Sequence, residues 1–568
     1  SGKWPSYYED SLPPVVEIGP GSPTGVVSAE GAKFPTRYQD AIFALDWTFG
    51  TIYAVHLQPD GAGYTGVAEH FVYSTPLPVT DAVIVNGDLI FTVGGRGTQS
   101  AMFRVSYVGH EPTDTPKSVD KLAAAAREKR QSLEQYHAHQ DDAAVAAAWP
   151  ELNNEDRFIR YAARVALESQ PVDSWSSKVY KEPDPRSRIV ATIALARSGT
   201  SSHRKSAIKG LLALPAESLQ ESDQLKLLRA YALTFLRLGR PTELEREAIV
   251  AQIDPLLPSK SGDVNTELIR VLTYLQAPSV IAKAMQLIRE AKEPELPDWG
   301  ELATRNANYG GTVLQMLNNH PPTREIGYAF ILRNMRSGWT LGERRSYFEF
   351  LNRAAKASGG ASYTGYLQRL RDEALGNCSN EERAALENVT GENFNPTPDF
   401  AVSAPKGPGQ MWTLEKAIEA ARAKPNFENG RSLYFSVKCG NCHRLRGLGG
   451  NIGPDLTSVP NKFDSRYVVQ AIVEPSKDIS DQYGSSVVLL EDGRILTGLT
   501  VNDGENITVY PMNPDERPIT VPRAEVDAIR NSKVSQMPME LLNSLNAQEI
   551  ADLVGYVMAG GDAGKIRK

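Results

Sequence analysis

The chain has almost no cysteine. Three occur in 568 residues, and two of them, Cys439 and Cys442, belong to a single motif, which leaves Cys378 without an obvious disulfide partner. A disulfide-stapled scaffold is excluded. Cys378, set among helix-forming residues, reads as a buried or idle thiol. Apolar residues never run unbroken for the ~20 positions that a membrane-spanning helix needs, so no transmembrane segment is expected. Basic charge is not in excess either: 61 Lys and Arg face 68 Asp and Glu, for a formal net charge of -7. No basic footprint points to nucleic acid. The opening Ser1-Gly2-Lys3 lacks an initiator Met and an apolar signal-peptide core, and reads as a processed, engineered or truncated end from which any export signal has been removed.

What is present is length, and 568 residues exceed the roughly 100–200 of one domain. Three domains are expected. Over 1–112, short β-patterned runs (Ala41 to Leu45, Thr51 to Val55, Asp81 to Val85, Leu89 to Val93) alternate with Gly-rich turns such as Asn86-Gly87-Asp88. That pattern suits propeller blades, but about two fit where a propeller needs at least four, so the C-terminal part of a β-propeller is expected. Over 113–395 the composition turns to Ala, Glu, Lys, Arg and Leu with helical periodicity. Phe158, Tyr161, Ala162 and Val165 form one predicted stripe. A second helix is predicted from a capping Asp184 and Pro185 through Ile189, Ile193 and Ala196 to a stop at Gly199. Repeated amphipathic helices with small residues on their apolar stripes predict a HEAT-like α-solenoid. A Pro- and Gly-containing stretch, Asn393 to Gly409, leads into 396–568, where a β-rich insertion at about 484–530 precedes a last helix, Ala547 to Met558.

The chemistry lies in Cys439-Gly440-Asn441-Cys442-His443. In a C-x-x-C-H segment two thiols can add to the vinyl groups of haem, and the adjacent His falls beneath the iron. Zinc would need two further ligands, and neither a second C-x-x-C nor an H-x-x-x-H supplies them. A thiol redox pair would follow a strand of a parallel sheet, whereas this pair follows a helical approach. One covalent haem c is therefore predicted, with His443 as a metal ligand. For the sixth ligand, Met537 in Ser535-Gln536-Met537-Pro538 is the first candidate, because Pro538 keeps the loop from continuing as helix. Met539 is the alternative, and Met512 and Met558 are weaker ones. Between the ligands, Gly449-Gly450-Asn451-Ile452-Gly453-Pro454 permits close approach to a macrocycle, with Pro454 packing on the proximal His. Arg466 and Tyr467 are candidates for a haem propionate. Lys438, Arg444 and Arg446 are candidates for a docking rim or for a solvated charged face. In the first part His56, Glu69, His70, Asp81 and Arg96 are polar residues among strands, for which ion pairs or turn contacts are expected rather than catalysis.

These segments also resemble a known family. Cys439 to Arg444, Gly453-Pro454-Asp455-Leu456-Thr457, Glu474-Pro475-Ser476-Lys477, Asp492-Gly493-Arg494 and Ser535 to Pro538 look like the Pirellula/Verrucomicrobium-type haem-binding domain. Upstream, Phe34-Pro35, Asp46-Trp47, Pro76 to Asp81 and Gly94 to Ser100 look like the end of the propeller in that group's membrane-bound dehydrogenase-like proteins. The resemblance implies the order propeller, helical repeats, cytochrome domain, with His443 and Met537 as axial ligands. It also implies a quinone cofactor or calcium in a complete propeller, although the missing front of the propeller puts a complete dehydrogenase site in doubt.

Three functions follow as expectations. The first is an electron-transfer cytochrome that takes electrons from a sugar- or alcohol-type propeller dehydrogenase and passes them to a redox partner protein. It would be periplasmic or otherwise exported, and membrane-associated only through missing parts or partners. The second is a haem enzyme or gas sensor with an open distal site, and the third is a solenoid scaffold with an auxiliary haem.

Overall fold

The computed structural model describes residues 4–19, 21–74, 77–95, 98–114, 121–291, 319–357, 363–391, 400–446, 448–450, 453–457, 459–461, 463–479, 484–502, 504–510 and 519–565. Arg96, Asn451, Ile452 and Met512 lie outside them. The fold is mixed α and β, with several small sheets, none of which closes on itself among the described residues.

Period-2 alternation builds the first sheet. Strands β1 (Pro23–Ser28), β2 (Ala41–Asp46), β3 (Thr51–Asp60) and β4 (Gly63–Tyr73) pair antiparallel in chain order. The register sets Phe43 opposite Ala54 and Leu45 opposite Ile52. A second, three-stranded meander follows: β5 (Val79–Val85), β6 (Asp88–Gly95) and β7 (Thr98–Val105). Its first hairpin turns at Asn86 and Gly87, with φ of 55° and 94°. Positive φ at both turn positions is what a two-residue hairpin of this twist requires, and Asn-Gly supplies it. Phe43, Leu45 and Ile52 from one sheet and Val79, Leu89 and Phe91 from the other share one core.

The β3–β4 turn is tied to the helices by Asp156 and by Arg130, which donates to the Ala62 carbonyl at 2.6 Å. Asp156 Oδ1 caps the helix Arg157–Glu168 by accepting from the Phe158 amide, while its Oδ2 accepts from the Ala62 amide at 2.6 Å, in the β3–β4 turn. The helices Arg157–Glu168, Pro185–Ser198, Glu221–Arg237, Gly262–Tyr274 and Thr323–Leu332 then pack in series around a continuous apolar core. Asp184 caps as expected, accepting from the Ser187 amide at 2.7 Å, and Ile189, Ile193 and Ala196 are buried. The stripe on the preceding helix is rotated from expectation. Ile159, Ala162, Ala163, Ala166 and Leu167 are buried, while Phe158, Tyr161 and Val165 are half-buried, because the inner face has neighbours on two sides and selects the smaller residues. Cys378 is buried in this core. Residues ahead of β1 also lie on the helices: Glu9 pairs with Arg160 at 2.8 Å, and Asp10 with Arg229 at 2.8 Å.

Four helices, Leu414–Ala420, Phe427–Ser436, Ser465–Val473 and Ala547–Met558, enclose a separate core that includes Leu433, Tyr434, Val469, Leu545, Leu553 and Val557. The last helix has the expected bounds, with Asn546 and Glu549 forming a capping box. A short hairpin, β8 (Arg444–Leu445) and β9 (Leu448–Gly449), follows the Cys pair. The insertion is a five-stranded antiparallel sheet of β10 (Ser486–Leu490), β11 (Ile495–Asn502), β12 (Asn506–Tyr510), β13 (Ile519–Pro522) and β14 (Val526–Asn531), in the order β13-β12-β11-β10-β14. Strand β14 closes the expected insertion at its C-terminal end. Its Val-Asp-Ala-Ile-Arg-Asn sequence is too polar to signal itself, and pairing with β10 at the sheet edge creates it.

Candidate functional site

Asn426 caps the helix Phe427–Ser436, which runs into the motif. At its end Lys438 adopts a left-handed conformation with φ 66°, and this reversal starts a new single turn over Cys439–Cys442. The His443 amide donates to the Cys439 carbonyl at 2.9 Å, so the Cys pair and the His are wound into one turn.

The glycine loop is laid against that turn by backbone hydrogen bonds, from Gly450 N to Gly440 O at 2.7 Å and from Gly453 N to Cys442 O at 2.8 Å. Close approach is what makes glycine necessary here. A Cβ on Gly450 would sit 2.0 Å from the Asn441 carbonyl oxygen, and one on Gly453 would sit 2.6 Å from His443 Cε1.

Pro454 meets the imidazole through its carbonyl. The His443 Nδ1 lies 2.8 Å from the Pro454 oxygen. A carbonyl can only accept, so Nδ1 carries the proton and Nε2 keeps its lone pair. The backbone of His443 is held as well, by the buried Tyr434 hydroxyl donating to its carbonyl at 2.7 Å. Burial pushes the His443 imidazole below its ordinary value, against the opposing pull of the Pro454 hydrogen bond, which favours the neutral ligand form.

Burial also pushes the Cys439 thiol up to about 12 and raises Cys442. Such thiols are protonated at neutral pH, unlike the lowered thiols of exchange-active pairs. Among the described residues no three His, Cys, Asp or Glu side chains converge as a metal cluster.

The Met loop is tied to the Glu474-Pro475-Ser476-Lys477 segment, since the Ser535 amide donates to Ser476 Oγ at 3.0 Å. Met537 is half-buried against the same core that Cys439 touches, whereas Met539 is 69% exposed. Gln536, next to Met537, has both Nε2 and Oε1 enclosed without a hydrogen-bond partner among the described residues.

Other expected residues are placed differently. Arg444 does not belong to an exposed rim: it is 5% exposed and donates to Thr364 Oγ1 on the helix Tyr363–Gly376. Arg446 pairs with Asp562 at 2.9 Å, and of the three only Lys438 is exposed. Arg466 is exposed, and Tyr467 stacks on Phe463 at 4.4 Å. In the first sheet His56 and Glu69 lie 3.5 Å apart, and Asp81 accepts from the Ala82 amide. His70 lies against Tyr53 at 4.7 Å. Sequence reasoning missed Tyr434 and Gln536. Tyr434 sits nine residues before His443 on an ordinary apolar stripe, and no local signal marks Gln536 as enclosed.

The chain matches no protein-family model and no curated protein.

Proposed function

We propose that this chain is an electron-transfer protein built around one covalent c-type haem. The observation that carries the reading is the His443–Pro454 hydrogen bond of 2.8 Å, in a single turn that also holds Cys439 and Cys442. It leaves the Nε2 lone pair free to ligate iron, in a turn whose two protonated thiols stand in the C-x-x-C-H sequence spacing of a haem c site. The residues fit the group on a second count. An enclosed amide with neither of its polar atoms satisfied costs ~1–3 kcal/mol, and the Gln536 side chain has both polar atoms in that state beside Met537. A cofactor with polar edges relieves that cost.

In this reading Cys439 and Cys442 would anchor the haem as thioethers, and His443 and Met537 would be its iron ligands. Bound haem supplies reversible one-electron chemistry. The protein's own contribution is to fix the imidazole through Pro454 and Tyr434, to hold the Met loop through Ser476, and to keep water from the core side. Thioether ligation favours ferrous iron and suits an electron carrier.

The surrounding architecture is read as the end of a propeller, a HEAT-like solenoid and a cytochrome domain. Electrons would come from a propeller dehydrogenase and leave to another redox protein outside the cytoplasm. Mass spectrometry with a visible spectrum of the purified protein tests the core of this. One covalent haem in a low-spin, six-coordinate state is expected. Haem that extracts into acid acetone would overturn attachment, and a high-spin form that binds carbon monoxide would favour the open-site alternative.

A further inference from the structure

The helical region presents two neighbouring arginine-lined surfaces, one covered and one open. The covered surface holds the chain's own Trp4-Pro5-Ser6-Tyr7-Tyr8-Glu9-Asp10. Arg229 donates to both Asp10 carboxylate oxygens at 2.8 Å, and its guanidinium lies 4.0 Å from the Tyr8 ring centroid. Tyr8 donates to Glu267, and Arg270 donates to the Tyr8 hydroxyl. Arginines here read an acidic, aromatic segment by pairing with its carboxylate and stacking on its ring.

Arg270 also lines an open groove of about 960 Å³, together with Arg240, Arg246, Arg336, Tyr274 and Phe330. Among the described residues the one acid in its wall, Glu243, is already held by Arg246 at 2.5 Å. Arg240 and Arg336 are exposed, and neither is among the ion pairs of the described residues. Tyr274 is 44% exposed and is backed by the Phe235 ring at 5.3 Å, whereas Phe330 already carries the Arg333 guanidinium 3.7 Å from its centroid, with Tyr366 at 5.8 Å. The groove therefore combines two guanidinium groups that have no ion pair among the described residues with one supported aromatic platform, Tyr274. Through Arg270 it is continuous with a surface that already holds such a segment.

We propose that this groove docks an acidic, aromatic-bearing segment of a partner protein, extending the surface that Trp4 to Asp10 covers. Carboxylates of the partner pair with Arg240 and Arg336, and an aromatic side chain lies on Tyr274. Continuity with the covered surface favours a peptide over a nucleic acid, although arginine and aromatic groups serve both. The inference does not depend on the haem reading.

The test uses the full chain and a fluorescein-labelled peptide, Trp-Pro-Ser-Tyr-Tyr-Glu-Asp-Ser, followed by anisotropy. Saturable binding is expected, weakened at least roughly tenfold by the double variant Arg240→Glu with Arg336→Glu, and left within about twofold by Arg229→Ala. Replacing Glu and Asp in the peptide by Gln and Asn, or its aromatic residues by Ser, should each weaken binding by a similar factor. Those peptide variants keep the test valid if the protein variants are poorly folded. Binding lost on Arg229→Ala but kept in the groove variant would mean exchange with the chain's own segment, and would overturn the proposal. So would absence of saturable binding, or tighter binding of a single-stranded oligonucleotide.

Discussion

His443 and Pro454, eleven residues apart, are joined by a 2.8 Å hydrogen bond from the ring Nδ1 to the backbone carbonyl. Because the acceptor is main chain, no side chain at position 454 can remove it directly, and the loop that carries it becomes the vulnerable part. Gly453 is the tightest point. A Cβ there would lie 2.6–3.2 Å from three atoms of the imidazole, so Gly453→Ala should cost roughly 1–3 kcal/mol through overpacking. Thermal unfolding measures the loss, and the visible spectrum should lose its low-spin character as the ring is displaced. An unchanged melting temperature and spectrum would refute this account of the loop.

The proposed attachment would rest on the Cys439 and Cys442 thiols. The variant Cys439→Ala with Cys442→Ala should carry no haem stain through denaturing electrophoresis, while Cys378→Ala, at a thiol buried among the helices, should stain like the parent. Persistent staining in the double variant would contradict the proposed linkage.

The two methionines of the last loop differ sharply in exposure, and that difference predicts their effects. Met537→Ala should open the distal site, giving high-spin ferric iron and carbon monoxide binding to the ferrous form, with haem retained. Met537→His should keep the iron low-spin and lower its potential, since a nitrogen donor favours ferric iron relative to a thioether. Met539→Ala, at a side chain that is 69% exposed, should leave the spectrum unchanged. If the two alanine variants exchange phenotypes, the distal ligand is Met539.

Thr364 is the partner of a buried guanidinium. Thr364→Val strips Arg444 of this hydrogen bond while keeping the volume, and should destabilise the protein by roughly 1.5–3 kcal/mol. Urea unfolding reads the change. A wild-type midpoint would mean that Arg444 finds another acceptor.

Acid should loosen the segment ahead of β1. Burial by itself would raise the Asp10 carboxyl, but hydrogen bonding and charge from Arg229 outweigh it and hold the group below its ordinary value of 3.8. A depressed folded value means that the pair stabilises fully above the unfolded value of about 3.9 and ceases to do so as pH falls through the folded one. Asp10→Asn should therefore lower stability at pH 7 and flatten its acid dependence. Equal acid sensitivity in both proteins would show that other carboxylates dominate.

The amino-acid sequence alone determined what depends on neighbours along the chain. The single turn of Cys439 to His443, the Asn86-Gly87 hairpin, the Asp184 cap and the helix Ala547–Met558 each follow from spacing or from a residue's own backbone preference. Tertiary structure decided what depends on residues far apart. It buried Arg444 against Thr364 and aimed the Pro454 carbonyl at His443. It enclosed Gln536 beside Met537, made an edge strand of Val526–Asn531, and laid Glu9 and Asp10 on helices that begin more than a hundred residues later. The physical reason is that a turn or cap is closed by atoms within four residues, whereas burial and long-range pairing depend on surfaces that exist only once the elements have packed.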